Sequence, residues 1–140
     1  MALTVEKVDI WAGEILDHAG GLVRKLQPLA EGDIDLTFLI ARRQPDKPGS
    51  CIIYFAGIEG AKQTKAALAA GFTKAVDMGC LRVEAPNKLG SAAQLLGKLG
   101  AAGINLRGAS ASAVGSKCVL LLSFDSIADR DHALKLLKKK

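Results

Sequence analysis

Apolar residues recur along this chain with two alternating periods, and the switches between them mark out its elements. From Val8 through Ile10 and Trp11 to Leu16 the pattern is extended, and Gly20-Gly21 then turns the chain into a segment whose Leu22, Val23, Leu26, Leu29 and Ala30 share one helical face. Pro28 lies inside that segment. It lacks a donor and crowds the preceding turn, which predicts a kink or an early last turn. Ile34, Leu36, Phe38 and Ile40 next alternate with Asp35, Thr37 and Leu39, as in a strand with one buried face. The stretch from Arg42 to Ser50, with Pro45, Pro48 and Gly49, reads as a hairpin loop. A strand at Cys51 to Phe55 follows, then a helix from Ala61 to Ala70 stopped by Gly71, and a fourth strand at Thr73 to Asp77.

The pattern then repeats. Asp17 and Asn87, Gly20 and Gly90, Leu26 and Leu96, Leu29 and Leu99, Ile34 and Ile104, and Asp35 and Asn105 are pairs that each lie 70 residues apart. The second copy reads as a strand at Leu81 to Ala85, a helix from Ser91 to Ala102, a strand from Ile104 through Ala109, a turn at Gly115-Ser116 and a strand from Cys118 to Phe124. Ser126 with Asp129 forms a capping box that opens a last helix. The reading is an α+β chain of two tandem ferredoxin-like βαββαβ repeats, residues 1–72 and 73–140, each an antiparallel sheet with helices on one face. The second copy has no fourth strand after its last helix, whereas Thr4 to Val8 alternates as a strand and has no place in the first copy. Strands 1–8 and 73–78 are therefore expected to be exchanged between the repeats.

Composition narrows the function classes. With 49% hydrophobic and 24% charged residues and positive mean hydropathy, the chain has ample apolar material for a core. It has no apolar run of about 18 residues and no leader-like N-terminus, so a cytoplasmic protein without membrane attachment is expected. A net charge of +5 invites a nucleic-acid reading. Three of the positives, however, are Lys138, Lys139 and Lys140, which suit the C-terminal end of a helix. Trp11, Phe38, Tyr54, Phe55, Phe72 and Phe124 are better accounted for by core packing than by base stacking, with Phe38 on the apolar side of its strand. Cys51, Cys80 and Cys118 sit among aliphatic residues and read as buried thiols. His18 and His132 have no metal-ligand spacing, and no nucleophile or phosphate-loop motif occurs, so no metal, cofactor or catalytic residue is expected.

The chemistry concentrates in two loops, Asp17-His18-Ala19-Gly20-Gly21-Leu22 and Asn87-Lys88-Leu89-Gly90-Ser91-Ala92. A glycine at the mouth of a helix lets backbone approach a ligand, and the first N–H groups and the helix dipole favour a carboxylate there. Asp17 and Asp35, or Asn87 and Asn105, supply acceptors for an ammonium group. Both pairs are spaced by 18 residues, which predicts that each pair ends near one sheet edge. As helix caps and exposed strand residues, the same side chains would have no ligand role.

The loops resemble the D-x-P-G-x-L and N-x-P-G motifs of the ACT family, and Gly103-Ile104-Asn105-Leu106 resembles its G-[IV]-N-[IL]. The chain departs from the motif at the proline, replaced by Ala19 and Leu89, and loops without it are expected to be less rigid. The resemblance covers both halves and implies tandem ACT-like repeats: a non-catalytic regulatory protein that senses an amino acid at these loops, forms a homodimer and serves a partner enzyme or regulator. A structural or partner-docking module without a ligand is the alternative. Open strand faces bearing Leu39 and Leu121 add to the expectation of a dimer.

Overall fold

The computed structural model describes residues 3–138. Its strands are β1 (Thr4–Val8), β2 (Trp11–Leu16), β3 (Phe38–Arg43), β4 (Ser50–Ala56), β5 (Thr73–Lys74), β6 (Gly79–Pro86), β7 (Leu106–Val114) and β8 (Lys117–Phe124). The helices are α1 (Gly21–Glu31), α2 (Gly60–Ala69), α3 (Ser91–Ala101) and α4 (Ile127–Lys138). Lys139 and Lys140, part of the basic helix ending, lie outside the described residues. The chain forms two compact units, one from Asp9 to Ala75 and the other from the residues up to Val8 together with those from Val76 onward. Each has a four-stranded antiparallel sheet, ordered β3-β4-β2-β5 in the first and β1-β6-β8-β7 in the second. This is the tandem ferredoxin-like arrangement that the periodicity predicts. No helix among the described residues is long and apolar enough to cross a membrane.

The N-terminal extended stretch forms two strands. β1 pairs with β6 from Thr4↔Glu84 to Val8↔Cys80, and after a break at Asp9 and Ile10 β2 pairs with β4 and β5 in the other unit. The N–H of Ala75 bonds to the carbonyl of Ile10, closing β5 onto that break. β5 is also shorter than the Thr73 to Asp77 strand predicted.

One core lies on the helix side of each sheet. In the Asp9–Ala75 unit it gathers Trp11, Ile53 and Phe55 from the sheet, Leu29 and Ala67 from the helices, and Ile34 and Phe72 from connecting segments. In the other unit Val5, Leu81, Val83, Leu120, Leu122 and Phe124 meet Leu95, Leu99, Ala133 and Leu137. Fully burying one such side chain stabilises by about 1.5–3 kcal/mol. Pro28 stands inside α1, which nonetheless continues to Glu31. The Oγ of Ser126 accepts the Asp129 N–H at 3.0 Å, as the capping pattern predicts. The three cysteines are free and buried.

The alternation over Ile34 to Ile40 is not one strand. Ile34 and Leu36 face the core from an irregular segment, and the Thr37 N–H bonds to Ala56 O before β3 begins at Phe38. That irregularity shifts the phase by one residue, which exchanges the faces of everything after it. Leu39 and Ala41 register with the core residues Phe55 and Ile53, while Phe38 and Ile40 register with Ala56 and Tyr54 on the opposite face. Phe38 is therefore not a core residue, and Leu39, although it shares the face of Phe55, stays exposed on this edge strand. The repeat also changes offset at its hairpins. Six residues join β3 to β4, but only Gly115 and Ser116 join β7 to β8, so that Cys51 and Cys118, and Gly60 and Ile127, are equivalent at a spacing of 67.

Phe72 packs edge to face on Phe55, with centroids 4.7 Å apart, and Lys25 Nζ lies 5.0 Å from the Phe72 ring centre. That ring occupies the place of a Gly13 side chain, since a Cβ there would lie 2.5 Å from Phe72 Cδ1. Val83 holds the equivalent position in the second unit. Two outcomes are expected. Gly13→Ala should lower unfolding free energy by about 1–3 kcal/mol in urea titration, as overpacked cores do. Deleting residues 1–7 should lower the melting temperature and speed amide exchange in β6, which would then be an unpaired edge.

Candidate functional site

The two strand-to-helix loops have the same backbone. Gly20 (φ 83°) and Gly90 (φ 78°) occupy the left-handed region immediately before α1 and α3, and nothing lies within 4 Å of where a side chain would point. Such a conformation costs an L-residue roughly 1–2 kcal/mol, which accounts for glycine at both positions. In loop one, His18 N–H bonds to Leu16 O, Gly21 N–H to His18 O, and Asp17 N–H to Gly49 O. Loop two repeats the set with Lys88, Ser91 and Asn87, the last bonding to Ser116 O at 2.9 Å.

Asp17 and Asn87 are not caps. Glycine is the N-cap residue of both helices and no side chain caps either one, so the first-turn N–H groups of Leu22 and Val23, and of Ala92 and Ala93, have no capping side chain.

The side chains set the loops apart. Asp17 Oδ2 is paired with Arg43 Nε at 2.8 Å, whereas the Asn87 amide has no hydrogen-bond partner among the described residues. Ser91, 7% exposed, donates from Oγ to Pro86 O at 3.0 Å and accepts the Lys88 N–H at 3.2 Å, which braces loop two. Loop one has Gly21 there, where a Cβ would come 2.6 Å from Leu16 O. His18 Nδ1 lies 3.0 Å from Ala19 O, and Leu89 projects fully into solvent where the resembling motif has proline. Leu22 and Ala92 are partly buried against their cores, as is Leu106.

Asp35 and Asn105 do not join these loops within a unit. Pro86, next to Asn87, registers with Lys117, while Leu106, next to Asn105, registers with Phe124, which also faces Gly79 at the far end of β6. Asn87 and Asn105 thus lie at opposite ends of an eight-residue strand, about 25 Å apart along it. Leu16↔Ser50 and Phe38↔Ala56 separate Asp17 and Asp35 in the same way. The common sheet edge inferred from the 18-residue spacing is incorrect, because the helix between them returns the chain antiparallel to the strand it left.

A cavity adjoins each loop. In the Asp9–Ala75 unit His18, Gly20, Leu22, Val23 and Leu26 line about 400 Å³ of largely apolar space. In the other unit a cavity of about 570 Å³ is lined by Asn87 and Lys88 together with Thr4, Glu84, Ser116 and Lys117, while Gly90, Ser91 and Ala92 lie outside it. The last four lining residues carry no motif and were not identified from sequence. Thr4 reaches the cavity only because β1 pairs with β6.

Glu84 Oε1 accepts Arg82 Nη1 at 2.8 Å, and Lys117 Nζ is 3.7 Å from Oε2. The Arg82 guanidinium, assisted by Lys117, holds the Glu84 carboxyl below its ordinary range. Lys47, 2.7 Å from Glu14, does the same for that residue. Burial pushes the Cys51 and Cys80 thiols up, which opposes thiolate formation. Among the described residues no group of three or more His, Cys, Asp or Glu side chains is arranged to hold a metal ion.

No protein-family model matches the chain, and no curated protein matches it in sequence. Solved structures do match in fold. Protein BT0572 from Bacteroides thetaiotaomicron superimposes with a TM-score of 0.72 at 18% identity, covering 96% of this chain and 99% of that one. The regulatory subunit of aspartate kinase from Thermus thermophilus, in its ligand-free form, gives 0.69 at 13% identity, covering 98% and 95%. E. coli aspartokinase III in complex with aspartate and ADP gives 0.61 at 12% identity, and there the match covers 97% of this chain but 32% of the enzyme. The shared fold is the tandem ACT-like ferredoxin arrangement.

The bracing of loop two leads to a specific expectation. Ser91→Ala should destabilise by about 1–2 kcal/mol in denaturant titration, because Pro86 O and Lys88 N–H each lose a partner. Gly21→Ser should destabilise too, because Leu16 O occupies the space.

Proposed function

We propose that this chain is a non-catalytic regulatory module that binds a free amino acid at its strand-to-helix loops, with the Asn87–Ala92 loop the better site. In this reading it is a cytoplasmic homodimer that serves an enzyme or regulator. The observation that carries the proposal is the duplicated loop: a left-handed glycine, an open approach and a helix start uncapped by side chains, each beside a cavity of ligand size. Similarity to regulatory subunits of aspartate kinases supports the regulatory reading. The ranking follows from the free Asn87 amide and the larger, more polar cavity, whereas Asp17 is already paired with Arg43. Exposed Leu16, Val23 and Leu89 around the loops favour the alternative, a docking module without a ligand.

The dimer reading rests on the sheet edges. β1 carries Glu6 and Lys7, β3 carries Arg42 and Arg43, and β5 has two residues, all devices that discourage edge pairing. β7 has no charge from Gly108 to Val114 and is the long unprotected edge. Antiparallel pairing of β7 with a second copy's β7 would bring Asn105 of one copy to the sheet end that bears Asn87 of the other. That would reunite the two residues that each unit holds apart.

A thermal-shift screen of the twenty amino acids is expected to yield a stabilising ligand, by about 2.7 kcal/mol at a hundredfold excess over Kd. Asn87→Ala should weaken its binding more than Asp17→Ala in calorimetric titration. Silence across the screen would leave the docking reading. Sedimentation is expected to show a dimer that Ser110→Lys converts to monomer.

A further inference from the structure

The cavity beside loop two has a charge pattern that names a ligand class. It is bounded by the end of β6, the start of β8, the loop and the edge strand β1, and two constraints hold its walls in place. The Asn87 N–H bonds to Ser116 O at 2.9 Å, and Thr4 registers directly with Glu84. Its lining includes two cations, Lys88 and Lys117, and one anion, Glu84. Lys88 makes no ion pair among the described residues.

Glu84 is only partly committed. Its Oε1 is taken by Arg82, but Lys117 at 3.7 Å from Oε2 is beyond hydrogen-bond length, which leaves that oxygen and the ammonium both able to take a new partner. Asn87 adds an amide, and Thr4 and Ser116 add hydroxyls.

From this pattern we infer that the cavity is the seat of the loop-two effector and that the effector is an acidic amino acid. Its two carboxylates are met by Lys117 and Lys88, and its ammonium by Oε2 of Glu84. Net charge decides the class: a lining with one excess positive charge complements a molecule with one excess negative charge. A neutral amino acid would leave one lysine unanswered, and a basic one would add a repelling charge. A dicarboxylate without an ammonium group would leave Glu84 facing two anions. This inference rests on the proposed amino-acid-binding reading and adds Thr4, Glu84, Ser116 and Lys117 to the site.

The test is calorimetric titration of the full chain at low salt with aspartate, glutamate, alanine, lysine and succinate, repeated on Lys117→Gln, Glu84→Gln and Gly90→Ala. Aspartate or glutamate is expected to bind at least about tenfold more tightly than alanine or succinate. Lys117→Gln and Glu84→Gln should each weaken that binding by about tenfold or more, as loss of a charge-assisted hydrogen bond does. Lys117 is exposed and Glu84 partly so, and unchanged melting temperatures would show that the variants fold. Binding of an acidic amino acid that survives both substitutions but is lost in Gly90→Ala would overturn the cavity assignment while leaving the loop reading intact. Tighter binding of alanine, lysine or succinate would overturn the ligand class. No binding by any amino acid, with the titration extended to the rest of the twenty, would overturn both readings together.

Discussion

The antiparallel pairing of β1 with β6 is the interaction on which the rest of this molecule depends. Five residues, Thr4 to Val8, close the edge of a sheet whose other three strands begin beyond residue 78. Backbone hydrogen bonds and the burial of Val5 in the core hold it there. The ion pairs Lys7–Asp131 and Glu6–Arg82 are solvent-exposed and contribute at most about 1 kcal/mol each. The chain therefore enters the second unit first, leaves it at Asp9 to build the whole of the other, and returns at Val76. One unit is thus a continuous segment and the other is assembled from two separate stretches of chain. The same pairing sets Thr4 opposite Glu84 and gives the loop-two cavity its outer wall.

On this frame the duplication preserved backbone and let chemistry diverge. Both loops keep the same hydrogen bonds and the same left-handed glycine, because glycine takes that conformation at least cost and helix entry depends on it. Around them the side chains differ in kind. Gly13 gives way to the Phe72 ring where Val83 fills its own space, Gly21 lies under Leu16 O where Ser91 reaches Pro86 O, and Asp17 is held by Arg43 where Asn87 is free. One loop adjoins an apolar cleft and the other a charged one, so two loops of the same backbone present different surfaces.

Much of this was determined by the sequence alone. The order of elements, the duplication, the glycines at both helix mouths and the buried thiols follow from periodicity and local conformational preference, which act over a few residues and leave their pattern in the chain. Even the strand exchange is legible in it, through the alternation of Thr4 to Val8 and the fourth strand missing from the second copy.

What only the tertiary structure decided depends on register and on contacts between distant segments. The one-residue irregularity at Thr37 that exchanges the faces of Phe38 and Leu39 accompanies a bond to Ala56 O, and no local pattern encodes it. The 18-residue spacing of Asp17 to Asp35 and of Asn87 to Asn105 is visible in sequence, but the intervening helix carries each partner to the far end of its sheet. The cavity of Thr4, Glu84, Asn87 and Lys117 joins residues 80 or more positions apart in the case of Thr4 and Glu84, and antiparallel pairing, which acts through backbone groups common to every residue, leaves no mark of its partners in the side-chain sequence.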